Sequence, residues 1–226
     1  MVLAYSSKRS LSLNVRHSAL LETLLRHFRS QRMRLFEQTF QISSRTRVLD
    51  VGGSPLIWQF AKVQPNLTFL NLPAALQKSS NGAHQVAGDG RMLPFRDGSF
   101  DIVFSNSVIE HVGDAVSQQR FAQEIARVGQ RYWVQTPNRR FPVEHHLMLP
   151  FIHYLPKGWQ RPIVSRLTIW ELLVQPSEDQ RAFYVKHFLD ELNLLDSREL
   201  QTLFPDSKIL AERLLGFPKS LIAVRA

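Results

Sequence analysis

The sequence predicts an α/β fold: an open, mostly parallel seven-stranded sheet with helices on both faces and a terminal antiparallel strand pair. Three observations lead to it. Short, nearly all-apolar runs alternate with segments of helical period from about residue 46 onward; the first of these runs ends in a carboxylate and two glycines; and the last twenty residues hold two strand patterns around Gly216 and Pro218. Apolar runs without alternation suit strands covered on both faces, which is what parallel sheets require.

Taken in order, residues 17–40 place Leu20, Leu21, Leu24, Leu25, Phe28, Leu35, Phe36 and Phe40 mostly three and four apart with arginines between, which predicts one or two amphipathic helices. RVLDVGG (47–53) is the first strand and its turn, and SPLIWQFAKVQ a following helix with Pro55 in its first turn. LTFLNL (67–72), HQVAGD (84–89) and SFDIVFSNS (99–107) are the next strands. Residues 114–129 read as a helix with Val116, Phe121, Ile125 and Val128 inward, Asp114 as N-cap and Gly129 as stop, and RYWVQTP (131–137) is the fifth strand.

Residues 138–162 are rich in proline, histidine and aromatics and form either a lid or the floor of a substrate pocket. A helix follows at 163–174, then DSRELQTLFP (196–205), where Asp196 and Glu199 have capping-box spacing. SKILAERLLG (207–216) and KSLIAVR (219–225) form the closing pair. The expected organisation is a basic helical extension over 1–45 and a catalytic domain over 46–226, with 138–182 inserted as a substrate cap.

At 226 residues with 44% hydrophobic and 21% charged side chains, the chain is long enough for one substantial core. No run of 18 apolar residues and no signal-peptide pattern occurs, so a cytoplasmic location without a transmembrane segment is expected. The lack of cysteine excludes disulfides, thiolate metal sites and a cysteine nucleophile. The net charge is +9, and residues 1–47 hold nine basic side chains against Glu22 and Glu37. Such a field favours nucleic acid, an anionic membrane surface or an acidic substrate, or serves only solubility.

The chemistry concentrates at Asp50, Gly52 and Gly53, where glycines admit a ligand close to the backbone. A pyrophosphate turn wants G-x-G-x-x-G, whereas this chain runs G-G-S-P-L-I, and no Walker G-K-[ST] is present. A dinucleotide or nucleoside triphosphate therefore fits poorly, which leaves open an adenosine ligand without a phosphate chain.

VLDVGGS (48–54) and GDGRMLPFRDGSFDIVFSNSVIEHV (88–112), in that order, resemble the class I S-adenosylmethionine-dependent methyltransferases, in particular the small-molecule branch that includes ubiquinone- and menaquinone-type enzymes. The resemblance covers about residues 46–137 and implies a Rossmann-like methyltransferase sheet with S-adenosyl-L-methionine as cofactor. It implies that Asp50 lies near the methionyl amino group above a turn of Gly52, Gly53 and Ser54. Asn71 and Leu72 would border the ribose. Asp89 would accept from the adenine amine beside Gly90, Arg91 and Met92, and Ser105 and Asn106 would lie near the sulfonium. Two departures stand out: Ser54 where glycine is more usual, and Asn71 where an acid usually holds both ribose hydroxyls. On that alignment, Asn71→Asp should strengthen cofactor binding.

Methyl transfer needs alignment and, for a hydroxyl or amine, removal of a proton. His111, His145 and His146 are the candidate bases, with Glu144 as orienter or alternative base, and no metal is required. Phe141, Phe151, Tyr154 and Trp159 are candidates for an apolar acceptor wall. The expected partner is a small-molecule methyl acceptor, with oxygen slightly preferred. An RNA acceptor is the alternative, motivated by the basic N-terminal region but without an N-P-P-Y-like tetrapeptide, since SNSV (105–108) stands there; a non-catalytic scaffold is the third reading.

Overall fold

The structure, a computed structural model, describes residues 15–76, 83–144, 149–150 and 192–226. Its elements are helix α1 (Val15–Phe40), strand β1 (Arg47–Val51), helix α2 (Pro55–Trp58), β2 (Asn66–Asn71), β3 (His84–Ala87), β4 (Phe100–Asn106), α3 (Ala115–Val128) and β5 (Gly129–Pro137). A two-stranded ladder of β6 (Val143–Glu144) and β7 (Leu149–Pro150) follows, then α4 (Ser197–Leu203), β8 (Lys208–Leu214) and β9 (Phe217–Arg225). The predicted helix at 163–174 lies outside the described residues, as does most of the expected cap.

The seven-stranded sheet has the order β3-β2-β1-β4-β5-β9-β8. Strands β1 to β5 pair in parallel, while β9 runs antiparallel to both β5 and β8. This is the open α/β sheet with an antiparallel closing pair that the sequence predicts. The strand order reverses between β1 and β4, and in such sheets the crevice beyond the carboxyl ends at that reversal is where ligands bind.

Alternation along each strand sorts side chains to two faces. Leu49, Val51 and Val103 join Phe121, Ile125 and Val128 of α3 and Leu200 of α4 in one core. Val48, Ile102, Phe104, Trp133 and Ile222 face the other way, against Met33, Phe36 and Phe40 of α1. The centroid of the Phe36 ring lies 5.1–5.8 Å from those of Phe40, Trp58, Phe104 and Trp133, an edge-and-tilt cluster that aromatic quadrupoles favour.

Helix ends follow local chemistry. Asp114 caps α3 by accepting from the Ser117 N–H, and the Asp196–Glu199 capping box at α4 is complete. Two expectations are corrected. Val116 is 55% exposed rather than inward, because at 100° per residue it lies on the opposite side of α3 from Gln118, Phe121, Ile125 and Val128, which are buried. The helix after the glycine turn is only four residues long. The chain leaves it because the Lys62 and Val63 N–H groups donate to Glu37 Oε1 of α1 at 2.6 and 2.9 Å, drawing the segment outward.

Phe36 is fully buried among four aromatic rings. Phe36→Ala is expected to lower unfolding stability by about 3–5 kcal/mol through lost burial and the cavity left behind, with an unchanged denaturant slope. Urea titration followed by tryptophan fluorescence measures it.

Candidate cofactor and acceptor site

At the carboxyl end of β1 the chain turns sharply through Gly52, whose φ of +75° is the left-handed region, and whose N–H donates to the Leu70 carbonyl at 2.8 Å. A Cβ there would lie 2.5 Å from Val108 Cγ2, and one on Gly53 would lie 1.9 Å from the Asp50 carboxylate. Only glycine satisfies both positions. Ser54 precedes α2 in extended conformation with no side-chain capping bond, and Pro55 takes the first helical position, as the sequence predicts.

Asp50 is fully buried. Its Oδ2 accepts from the Trp58 indole N–H at 2.7 Å, while Oδ1 has no hydrogen-bond partner among the described residues. Burial pushes the carboxyl up to about 7, opposed by the indole bond. Asn71 closes the turn from the side: its amide donates to the Gly53 carbonyl at 3.0 Å. Leu72, next along, is 43% exposed.

Asp89 follows β3. Its carboxylate accepts from the Arg91 backbone N–H at 2.9 Å and from the Arg91 guanidinium at 2.6–3.0 Å, and this pairing holds it below its ordinary range. Arg91 also donates to the Val112 carbonyl at 3.3 Å. Gly90 packs so closely under Phe121 that a Cβ would lie 2.7 Å from the ring, and Met92 is 76% exposed.

At the end of β4, the buried Ser105 hydroxyl donates to the Val51 carbonyl at 3.2 Å, tying β4 to β1 beside the turn. Asn106 Oδ1 accepts from Arg32 of α1 at 2.5 Å. The same guanidinium makes a two-pronged pair with Glu212 of β8, at 2.7 and 2.5 Å, and is only 7% exposed. Lys219 of β9 lies 4.0 Å from Glu212 and 3.7 Å from the centroid of the Phe28 ring. Sequence reading missed Arg32, Glu212 and Lys219. The available signal was Arg32 itself, four residues from both Phe28 and Phe36 and therefore on the buried stripe of the helix.

Of the candidate bases, His111 is half-buried in the single helical turn Ile109–His111 after β4. Its neighbour Glu110 is fully buried, accepts from the Thr136 hydroxyl at 2.9 Å and offers its carbonyl to Asn193 N–H at 2.8 Å. Glu144 belongs to β6, but its side chain lies outside the described residues, as do His145, His146, Phe151, Tyr154 and Trp159. Phe141 is buried.

The family model described as a methyltransferase domain matches residues 49–131, the span from the Asp50 turn through β5. Over that span the chain is similar to a methyltransferase domain. An uncharacterized methyltransferase of Mycobacterium sp. strain KMS is 36% identical over 87 residues, which is 36% of this chain and 33% of the relative. One from Mycolicibacterium gilvum is 34% identical over 103 residues, covering 42% and 39%. The matches thus span little more than a third of these relatives' length. Among solved structures, a S-adenosylmethionine-dependent methyltransferase from Methanosarcina mazei has a TM-score of 0.50 at 13% identity, covering 84% of this chain and 94% of the other. A protein from Pyrococcus horikoshii has a TM-score of 0.53 at 15% identity, covering 93% and 91%. These likenesses support the methyltransferase fold and do not resolve the ubiquinone- and menaquinone-type branch.

Two outcomes follow from the geometry. The Asn71 amide is a donor, so Asn71→Asp removes the bond to Gly53 and sets a carboxylate against a carbonyl oxygen. Cofactor affinity is expected to fall rather than rise, by roughly five- to a hundredfold for a lost buried partner of about 1–3 kcal/mol, as titration calorimetry with S-adenosylhomocysteine measures.

Asp50 gives a signed pH dependence. Its carboxyl titrates near 3.8 when unfolded and at about 7 when folded, so between these values the native state binds the extra proton. Its contribution to stability is therefore lost as pH rises toward 7. Asp50→Asn keeps a neutral acceptor for Trp58 and should raise the melting temperature relative to the parent at pH 8, with the gain shrinking toward pH 5. Thermal melts at several pH values measure this, and a gain independent of pH contradicts the burial cause.

Proposed function

We propose that the protein transfers the methyl group of S-adenosylmethionine to a small-molecule acceptor, with oxygen the favoured atom. The observation that carries this reading is the half-satisfied carboxylate of Asp50 beneath the glycine turn, at the strand-order reversal. Its Oδ1 has no donor among the described residues, and the ammonium of a methionyl group is such a donor.

The surrounding groups fit the rest of the ligand. Asn71, its amide spent on Gly53, keeps its carbonyl oxygen to accept from one ribose hydroxyl. Asp89 accepts from the adenine amine by exchanging part of its Arg91 pairing, a partly exposed contact that is cheap to rearrange. Gly52 and Gly53 keep side chains out of the ligand's path. When bound, S-adenosylmethionine supplies a methyl group already activated by the sulfonium. The protein then has to orient the acceptor, exclude water and take a proton from it. His111, on the turn that leaves β4, is the described candidate for the proton; His145 and His146, with Glu144, are the others in the segment after β5. An imidazole suits this task near neutral pH, which favours a hydroxyl acceptor.

Asp89→Ala tests the assignment. S-adenosylhomocysteine affinity should fall by roughly ten- to hundredfold, the equivalent of one hydrogen bond to a charged group at about 1.5–3 kcal/mol, while the melting temperature without ligand changes little. Calorimetry on the folded variant measures the affinity. Unchanged affinity removes Asp89 from the cofactor site, and absence of binding by the parent protein removes the methyltransferase reading.

A further inference from the structure

The antiparallel closing pair carries an irregularity beside the Arg32 cluster. Ladder partners run Ala211 with Leu221, Glu212 with Ser220, then Arg213 with Pro218. One step along β8 thus matches two along β9, and Lys219 is the extra residue of a β-bulge. Strict alternation would send Lys219 to the face of Leu221 and Ala223, which belong to the core under α3 and α4. The bulge re-aims it toward α1, where its amine meets Phe28 and Glu212.

The amine is unusually short of partners there. Its side chain is 10% exposed, and among the described residues its contacts are the Phe28 ring face and a Glu212 oxygen 4.0 Å away, beyond hydrogen-bond length. Glu212 cannot approach further without giving up Arg32, which grips both of its oxygens. Asn106 completes the group by accepting from Arg32, and Asn138 fixes the start of β9 by donating to the Pro218 carbonyl at 2.7 Å. Two cations therefore share one carboxylate at the carboxyl edge of β4, β5 and β8, leaving an excess positive charge and a set of open donors. Burial pushes the amine down to about 8, with Arg32 acting in the same direction and Glu212 against it.

We infer that Lys219, placed by the bulge and backed by the Arg32–Glu212 pair, is an acceptor-binding residue that holds an anionic oxygen, a carboxylate or a phosphate, of the methyl acceptor. An anion there supplies the missing acceptor and balances the second cation, whereas a neutral apolar acceptor leaves both deficits in place. The Arg32 bond to Asn106 couples this anchor to the strand end expected to border the methyl donor. The inference rests on the methyltransferase reading for the word acceptor; the anion site itself stands on the contacts above.

The test uses the full chain with benzoate, acetate and inorganic phosphate as probes. Trace acetylation of each lysine by acetic anhydride is followed by peptide mass spectrometry at pH 7.5. At least one probe should slow acetylation of Lys219 about fivefold or more while leaving Lys62 and Lys208 within about twofold, because a bound anion occupies only the buried amine. Protection by benzoate or acetate identifies a carboxylate-bearing acceptor, and protection by phosphate alone a phosphate-bearing one. By calorimetry, Lys219→Met should weaken the protecting probe about tenfold or more and Lys219→Arg by less, since a charged hydrogen bond is lost only in the first. No protection by any probe, or equal probe binding by Lys219→Met, overturns the inference. S-adenosylhomocysteine binding is measured in parallel on the same proteins: its absence from the parent sinks the methyltransferase reading alone, and its retention in Lys219→Met shows that the variant is folded.

Discussion

Burial of the Asp50 carboxylate at the end of β1 is the constraint around which the neighbouring structure is organised. Removing a carboxylate from water is costly unless its oxygens find donors, and here one donor comes from Trp58, eight residues on. That bond is made from the last residue of α2, one helical turn beyond the glycines. The backbone passes directly over the carboxylate, a path open only to Gly53, and turns back through the left-handed conformation of Gly52. Asn71 then secures the turn from β2. An ionised acid at that position would have no proton to give to Gly53.

The second organising element is α1. Its buried face supplies Met33, Phe36 and Phe40 to the core, and the same stripe carries Arg32 into a nearly dry environment. A buried guanidinium survives there because Glu212 meets it with two parallel bonds and Asn106 with a third. Such a pair adds little net stability over apolar packing, but it is demanding in geometry and sets where the helix sits along the sheet. The helix rests on the aromatic cluster and is registered by the ion pair. Through Asn106 that registration reaches the end of β4, next to the Ser105 hydroxyl that ties β4 to β1.

These two arrangements meet at the carboxyl edge of the sheet. On one side of the strand-order reversal lie Asp50, Asn71 and Asp89, a set of acceptors; on the other lie Arg32 and Lys219, a set of cations around Glu212. This grouping is a property of the assembled sheet, with Asp89 paired to Arg91, since its members come from six different elements and connecting segments.

The sequence by itself determined the element order, the parallel sheet with its antiparallel close, and the glycine turn, because each is written in contiguous residues: apolar runs of strand length, Asp50-Val51-Gly52-Gly53, Asp196 and Glu199 at capping distance. Asn71 was recognisable as a departure, yet its job was not, since a donor bond to Gly53 depends on the turn folding back against β2. Val116 lies opposite the stripe of Phe121, Ile125 and Val128 at 100° per residue, so its exposure was already implied by the helical period. Only the tertiary structure decided that Asp50 is fully dry, that Arg91 occupies Asp89, and that Arg32, Glu212 and Lys219 meet. The physical reason is the same in each case. Hydrophobic period and backbone propensity act over neighbouring residues, whereas desolvation and ion pairing depend on which strand ends the crossovers bring together, and a one-residue bulge is enough to turn Lys219 from one face of the sheet to the other.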